Sequence, residues 1–182
     1  HAQVPAPWGE GGKGYPSLKP LGSWFKDLLL RVSFMREWLE QGPPPSFWVS
    51  AFFFPQGFFT SALQAHARRY QLPIDVLRFG TEVTSYASLE QTPSAPDSGV
   101  HIHGMVMEGA RFDCATGVMA ESRPGELFAH MNVVWLKPVD LSEHKLDGHY
   151  ECPFYKTNVR AGVLSTTGHS TNHVCNFLLP SL

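Results

Sequence analysis

The chain has 182 residues, 43% of them hydrophobic and 16% charged, with a formal net charge of −2. Such a balance describes a globular protein with a sizeable core rather than a disordered one, and the length suits one domain or one domain with a small helical appendage. It supplies no electrostatic pull towards nucleic acid or an acidic membrane, and no apolar run approaches the roughly 20 residues that span a bilayer. The longest candidate, Phe47 to Phe59, is interrupted by Ser50 and by Pro55-Gln56-Gly57. The cysteines, Cys114, Cys152 and Cys175, are odd in number and lack C-x-x-C spacing. That favours a reduced intracellular compartment over a disulfide framework. No secretory signal is visible and the first residue is His1, so a fragment of a longer protein is expected and missing targeting signals carry little weight.

Residues 1–20 are rich in glycine and proline without an apolar period, as in an extended strap or linker. From Leu21 the pattern changes: Leu21, Trp24, Leu28, Val32, Met35 and Leu39 recur at three- and four-residue steps, which predicts an amphipathic helix. Ser23 is the expected N-cap, and Gly42 followed by three prolines the stop. Residues 47–54 are almost wholly apolar, helix or strand by periodicity alone. Pro55 suits the first turn of a second helix carrying Phe58, Phe59, Ala62, Leu63, His66, Ala67 and Tyr70, which Leu72-Pro73 ends. Beyond Pro73 the period shifts towards two, predicting strands at 77–84, 100–108, 132–137, 150–157 and 172–179. Gly, Pro, Asp and Ser clusters separate them, among them Ala115-Thr116-Gly117. Helices first and strands afterwards predict an α+β fold with antiparallel pairing, divided near residue 73 into a helical part, 21–73, and a strand part, 74–182.

Several groups invite a chemical reading, and each has a plainer one. Ser165, His169 and Ser170 lie close together, yet G-x-S-x-G is absent and triads assemble from distant segments. Hydroxyls in such a loop satisfy its backbone locally. Amides around Gly168 could form an anion nest, but the phosphate-loop motif is missing and a strand follows. His101 and His103 share a strand face, and His149, Cys152, His173 and Cys175 form a loose set without the tighter spacing of structural zinc. Cys175 alternates with Phe177 and Leu179 as a small core residue would. The aromatics Phe52-Phe53-Phe54 and Phe58-Phe59 fit a helix core or a partner-facing patch better than a ligand pocket. Arg68 and Arg69 fit a helix C-terminus, and Glu108 and Asp113 flank a hairpin rather than forming an acid–base pair.

Ordered stretches through almost the whole chain then carry a resemblance: Tyr15-Pro16-Ser17-Leu18-Lys19-Pro20-Leu21-Gly22-Ser23, Gly42-Pro43-Pro44-Pro45-Ser46-Phe47-Trp48 and Phe52-Phe53-Phe54-Pro55-Gln56-Gly57-Phe58. Further on come Leu72-Pro73-Ile74-Asp75, Glu108-Gly109-Ala110-Arg111-Phe112-Asp113, Trp135-Leu136-Lys137-Pro138, Cys152-Pro153-Phe154-Tyr155-Lys156-Thr157 and Leu164 to Asn172. Weak singly and specific as a set, they closely resemble the C-terminal domain of dynein heavy chains, of the axonemal kind. Residues 85–95 look shorter than in several relatives, and Glu10 to Gly14 looks like a local glycine-rich insertion. Both fall in expected surface loops and leave the fold untouched.

The resemblance implies a helical subdomain packed beside an incomplete antiparallel β-barrel. It also implies a non-catalytic domain that sits against the AAA+ ring of its own heavy chain and tunes motor output in the cytoplasmic cytoskeleton of a cilium or flagellum. ATP with magnesium, and the microtubule-binding stalk, would belong to other parts of that protein. No nucleic acid, membrane, cofactor or metal is expected for these residues. Trp24, Trp38, Phe52 and Phe53 are the candidates for ring packing or core. The loop Ser165, Thr166, Thr167, Gly168, His169, Ser170, Thr171 and Asn172 looks like an axonemal elaboration. An alternative function places docking of another axonemal protein on residues 158–171.

Overall fold

The computed structural model describes residues 5–9, 19–142, 147–157 and 173–181. The protein divides into two compact units, residues 1–44 with 160–171 and residues 45–159 with 172–182.

The first unit contains a single turn, α1 (Ala6–Gly9), and a long helix, α2 (Leu21–Gln41). Pro20, not Ser23, occupies the N-cap of α2, without a capping hydrogen bond from any side-chain group. The helix ladder starts where the Trp24 amide donates to the Pro20 carbonyl (2.9 Å), which leaves Ser23 inside the first turn. Gly42 ends the helix as expected, with φ +89° and its amide on the Trp38 carbonyl. The buried residues are Trp24, Asp27 and Arg31, whereas Val32 and Leu39 of the expected apolar stripe are exposed. Charge explains the rotation. Asp27 receives Arg31 Nε at 2.8 Å, one helical turn on, and Lys19 Nζ at 2.9 Å. The carboxylate and guanidinium are thereby matched, which is the condition for burying them.

The second unit opens with β1 (Phe47–Trp48), a 3-10 turn at Val49–Ala51 and α3 (Pro55–Tyr70). The ambiguous run 47–54 is thus a two-residue strand and a tight turn. Pro55 starts α3 as expected, and Gln71 closes it in the left-handed region at φ +55°. The strands that follow are β2 (Leu77–Val83), β3 (Val100–His103), β4 (Val106–Glu108), β5 (Ala110–Asp113) and β6 (Val118–Glu121). β7 (Phe128–His130), β8 (Val134–Asp140), β9 (His149–Tyr155) and β10 (His173–Pro180) complete the series.

They form a four-stranded sheet in the order β1-β3-β8-β2, a second in the order β10-β9-β4-β7, and the hairpin β5-β6. Among the described residues none closes into a barrel, and the class is α+β. Pairing is antiparallel except that β1 runs parallel to β3. The single strand expected over 100–108 is broken at Gly104, whose φ is +83°. A Cβ there would collide with the Trp48 ring, and the Ser50 hydroxyl donates to the Gly104 carbonyl. The break lets β3 join the first sheet and β4 the second. β5 and β6 were not among the expected strands, although their turn was: Gly117 has φ +73° and its amide meets the Asp113 carbonyl at 2.7 Å.

Ile102, Val134, Leu136, Phe154 and Leu179 are fully buried on strands of both larger sheets. A series of rings ties α3 to them. Phe59 meets Phe79 of β2 edge-on at 6.4 Å and Phe177 of β10 at 5.9 Å, and Phe177 meets Phe154 at 5.4 Å. Such edge-to-face contacts add to the area they bury.

Candidate functional site

On α2, Phe25, Leu29, Val32 and Leu39 are 48%, 54%, 54% and 87% exposed. Their spacing of four, three and seven residues places them on one side of a helix. Arg36 lies on the same side, with an exposed i,i+4 contact to Glu40. The row is about 21 Å long at 1.5 Å per residue. A different side carries the buried Trp24, Asp27 and Arg31. The expected stripe ran between these two sides, sharing Trp24 with the buried one and Val32 and Leu39 with the outward row. The signal for the outward row was present, as the 25, 29, 32, 39 spacing, but the Asp27–Arg31 pair decides which side is buried.

The four aromatic candidates separate by environment. Trp24 is 3% exposed and belongs to the buried side of α2. Trp38, half-buried, lies 6.3 Å from Phe34. Phe52 stacks on Phe58, with centroids 4.7 Å apart and planes 17° from parallel. Phe53 is 64% exposed, beside an equally outward Phe54. Trp24 and Trp38 share α2, whereas Phe52 and Phe53 follow the 3-10 turn that precedes α3. The loop candidates Ser165, Thr166, Thr167, Gly168, His169, Ser170, Thr171 and Asn172, and the docking stretch 158–171, lie outside the described residues.

The groups weighed for chemistry are also placed. Burial pushes the Cys152 thiol up to about 11 and raises that of Cys175 further, with the neighbouring Cys152 contributing. Neither is a thiolate nucleophile at neutral pH. His103 shares a hydrogen bond of 2.9 Å with the Ser46 hydroxyl, and its pKa is lowered by burial despite nearby Glu90. His101 lies edge-on to Tyr86 and Trp135 and is likewise lowered by burial. These are the positions of packed, neutral imidazoles. Among the described residues no three His, Cys, Asp or Glu side chains are grouped to hold a metal ion. No described helix is long and apolar enough to cross a membrane.

An open cleft of about 620 Å³ lies between β2 and β10, beneath α3. Phe59, Phe79 and Phe177 contribute apolar surface, and Arg78, Glu151 and His173 polar groups. His173 Nε2 and Asn176 Oδ1 are 2.8 Å apart, and the Asn176 amide donates to Glu151 at 3.2 Å. Nothing in the local sequence announces this cleft, because it arises from the order of strands in two sheets.

The family model for the C-terminal domain of the dynein heavy chain matches residues 1–182. The protein is similar to dynein axonemal heavy chain 1 of Mus musculus, 49% identical over 178 residues. It is 45% identical over 179 residues to dynein axonemal heavy chain 3 of Homo sapiens, and 45% over 177 to dynein axonemal heavy chain 12 of Homo sapiens. These matches take in 98%, 98% and 97% of the 182 residues but 4%, 4% and 6% of the relatives, so the sequence spans a small part of their length. A family-model match over residues 1–182, with relatives 45% to 49% identical over 97% to 98% of the sequence, shows that the protein belongs to the family of dynein C-terminal domains.

Proposed function

We propose that this domain is a non-catalytic regulatory and structural part of an axonemal dynein heavy chain, working in the axoneme of a cilium or flagellum. It packs against the AAA+ ring of the same polypeptide and tunes microtubule-based movement. ATP and magnesium act at the ring, and the microtubule is met through the stalk. The observation that supports this reading is the outward apolar row of α2, Phe25, Leu29, Val32 and Leu39. An exposed apolar row on a surface helix, here with Arg36 between Val32 and Leu39, marks an interface, and ridges of such side chains fit the grooves between helices of another module. Burying it favours ring states in which the facing modules keep their spacing, so the domain shifts the balance among those states.

The test is a full-length motor with Phe25→Ser, Leu29→Ser and Leu39→Lys introduced together. Velocity, processivity or ATPase rate should change while the domain keeps its fold by circular dichroism. Motility and ATPase indistinguishable from the unsubstituted motor would sink the proposal.

A further inference from the structure

We propose that the occupant of α2's outward row is one α-helix of the same polypeptide, lying along α2 with an Asp or Glu facing Arg36. This rests on the ring-packing reading and narrows the partner from a module to a single helix of stated chemistry.

Spacing carries the shape. Phe25, Leu29, Val32, Arg36 and Leu39 follow one another at steps of four, three, four and three residues. That alternation is the repeat of a helix-pairing seam, in which each side chain seats among four residues of a facing helix. The flanks of the row fit a partner one helix wide. Lys26, Ser33 and Glu40 form a polar margin on one side, and the half-buried Leu28 and Met35 lead back into the fold on the other. Leu30 is 52% exposed but lies off the row, about 100° round the helix from Leu29. A facing helix would cross α2 at about 20°, with the axes about 8–10 Å apart.

Arg36 gives the charge. Its Nε lies 4.0 Å from Glu40 Oε1, and both side chains are mostly exposed, too loose a contact to hold the guanidinium. Covering the row takes that guanidinium partly out of water, which is favourable only where a carboxylate faces it. A second copy of this helix offers none within the seam. Aligned in parallel, Arg36 would meet Arg36; antiparallel, it would meet an apolar member of the row.

Length points to the same polypeptide. The row runs for about 21 Å, and helices this short pair weakly when they belong to separate molecules. A tether replaces that missing affinity with an effective concentration of about the millimolar range. The matched stretch is 4% to 6% of the relatives' length, so a heavy chain of that kind has ample polypeptide to supply the helix.

The test is photo-cross-linking in the full-length motor. Benzoylphenylalanine replaces Phe25, Val32 or Leu39, one at a time, and the adducts formed on irradiation are mapped by mass spectrometry. Adducts from the three positions should fall on one segment of the same polypeptide, about seven residues apart, with Asp or Glu between those reached from Val32 and Leu39. Arg36→Glu should cut the adduct yield about tenfold, and lysine in place of the facing acid should restore it, a rescue that loss of fold would not allow. Benzoylphenylalanine in place of Leu30 should leave that segment unlabelled. Adducts scattered over several segments, adducts joining two copies or a different protein, yields no higher than at Leu30, or a yield indifferent to Arg36→Glu would each overturn the pairing. Motility judges the parent reading separately. Changed motility in the triple variant with scattered adducts sinks the helix pairing alone. Adducts on one helix with unchanged motility keep the pairing and sink the tuning.

Discussion

The two long helices use their apolar residues in opposite ways. α3 turns Phe59 inward, against Phe79 and Phe177, so that one ring fastens the helix to strands of both larger sheets. α2 buries a charge pair, Asp27 with Arg31, on the side that carries Trp24, and turns Phe25, Leu29, Val32 and Leu39 outward. Helical periodicity looks alike in both. The difference teaches that a helix's period shows it has faces, while the matching of its buried charges shows which face goes in.

Substitutions can break that contrast, beginning with the deepest. Phe59→Ala should cost about 3–5 kcal/mol in denaturant unfolding, because it removes a buried ring shared by α3 and two sheets. A loss below about 1 kcal/mol would mean that α3 is not held by this ring. Asp27→Ala leaves Arg31 buried without its carboxylate and should cost about 3 kcal/mol by the same measurement. A near-neutral result there would show that α2's buried side does not depend on the Asp27–Arg31 pair, and the contrast would lose its basis. Gly104→Ala tests the junction rather than the helices. It strains a residue at φ +83° and pushes Trp48, so a cost of about 1–3 kcal/mol is expected from thermal melts.

Acidification is a gentler probe of the second unit. His66, His101 and His103 all have pKa values lowered from 6.5, each chiefly by burial, with Arg69 adding to the effect at His66. The folded state therefore resists protons that the unfolded state accepts. Their contribution is fully present above about pH 6.5 and is lost as pH falls through the lower folded values. Melting temperature should fall between about pH 7 and pH 5, and replacing His101 and His103 with glutamine should flatten the slope. The smallest stability effect belongs to the outward row: Leu39→Lys should shift unfolding by less than about 0.5 kcal/mol. A large loss would show that this face is part of the fold and not a surface for something else.

Much of this was legible in the sequence, and the failures have a common cause. α2, α3 and the strands β2, β8, β9 and β10 follow from strong periods and from punctuation by Gly42, Pro55 and Pro73. The break at Gly104 was not visible, because the ring that demands a glycine there sits more than fifty positions earlier, at Trp48. Ser23 looked like a cap because its own neighbourhood favours one, yet Pro20 already supplies the first carbonyl of the ladder. β7 is only three residues long, too short to show a period. Of the candidate site, Trp24 and Phe53 could not be told apart by composition, and burial separates them. The cleft was beyond reach for a different reason: it belongs to no segment, only to the order in which segments pair.

The missing ladder between β2 and β10 also gives the second unit a direction of weakness under load. A pull that slides β9 along β10 must shear a ladder whose register runs from His173 to Pro180. A pull that parts β2 from β10 meets side-chain packing around Phe59 and no backbone ladder among the described residues. In single-molecule stretching, handles at Thr81 and Asn176 should yield at lower force than handles at Tyr155 and Pro180, which load the β9–β10 ladder in shear. The second unit would then be stiff along one axis and compliant along another.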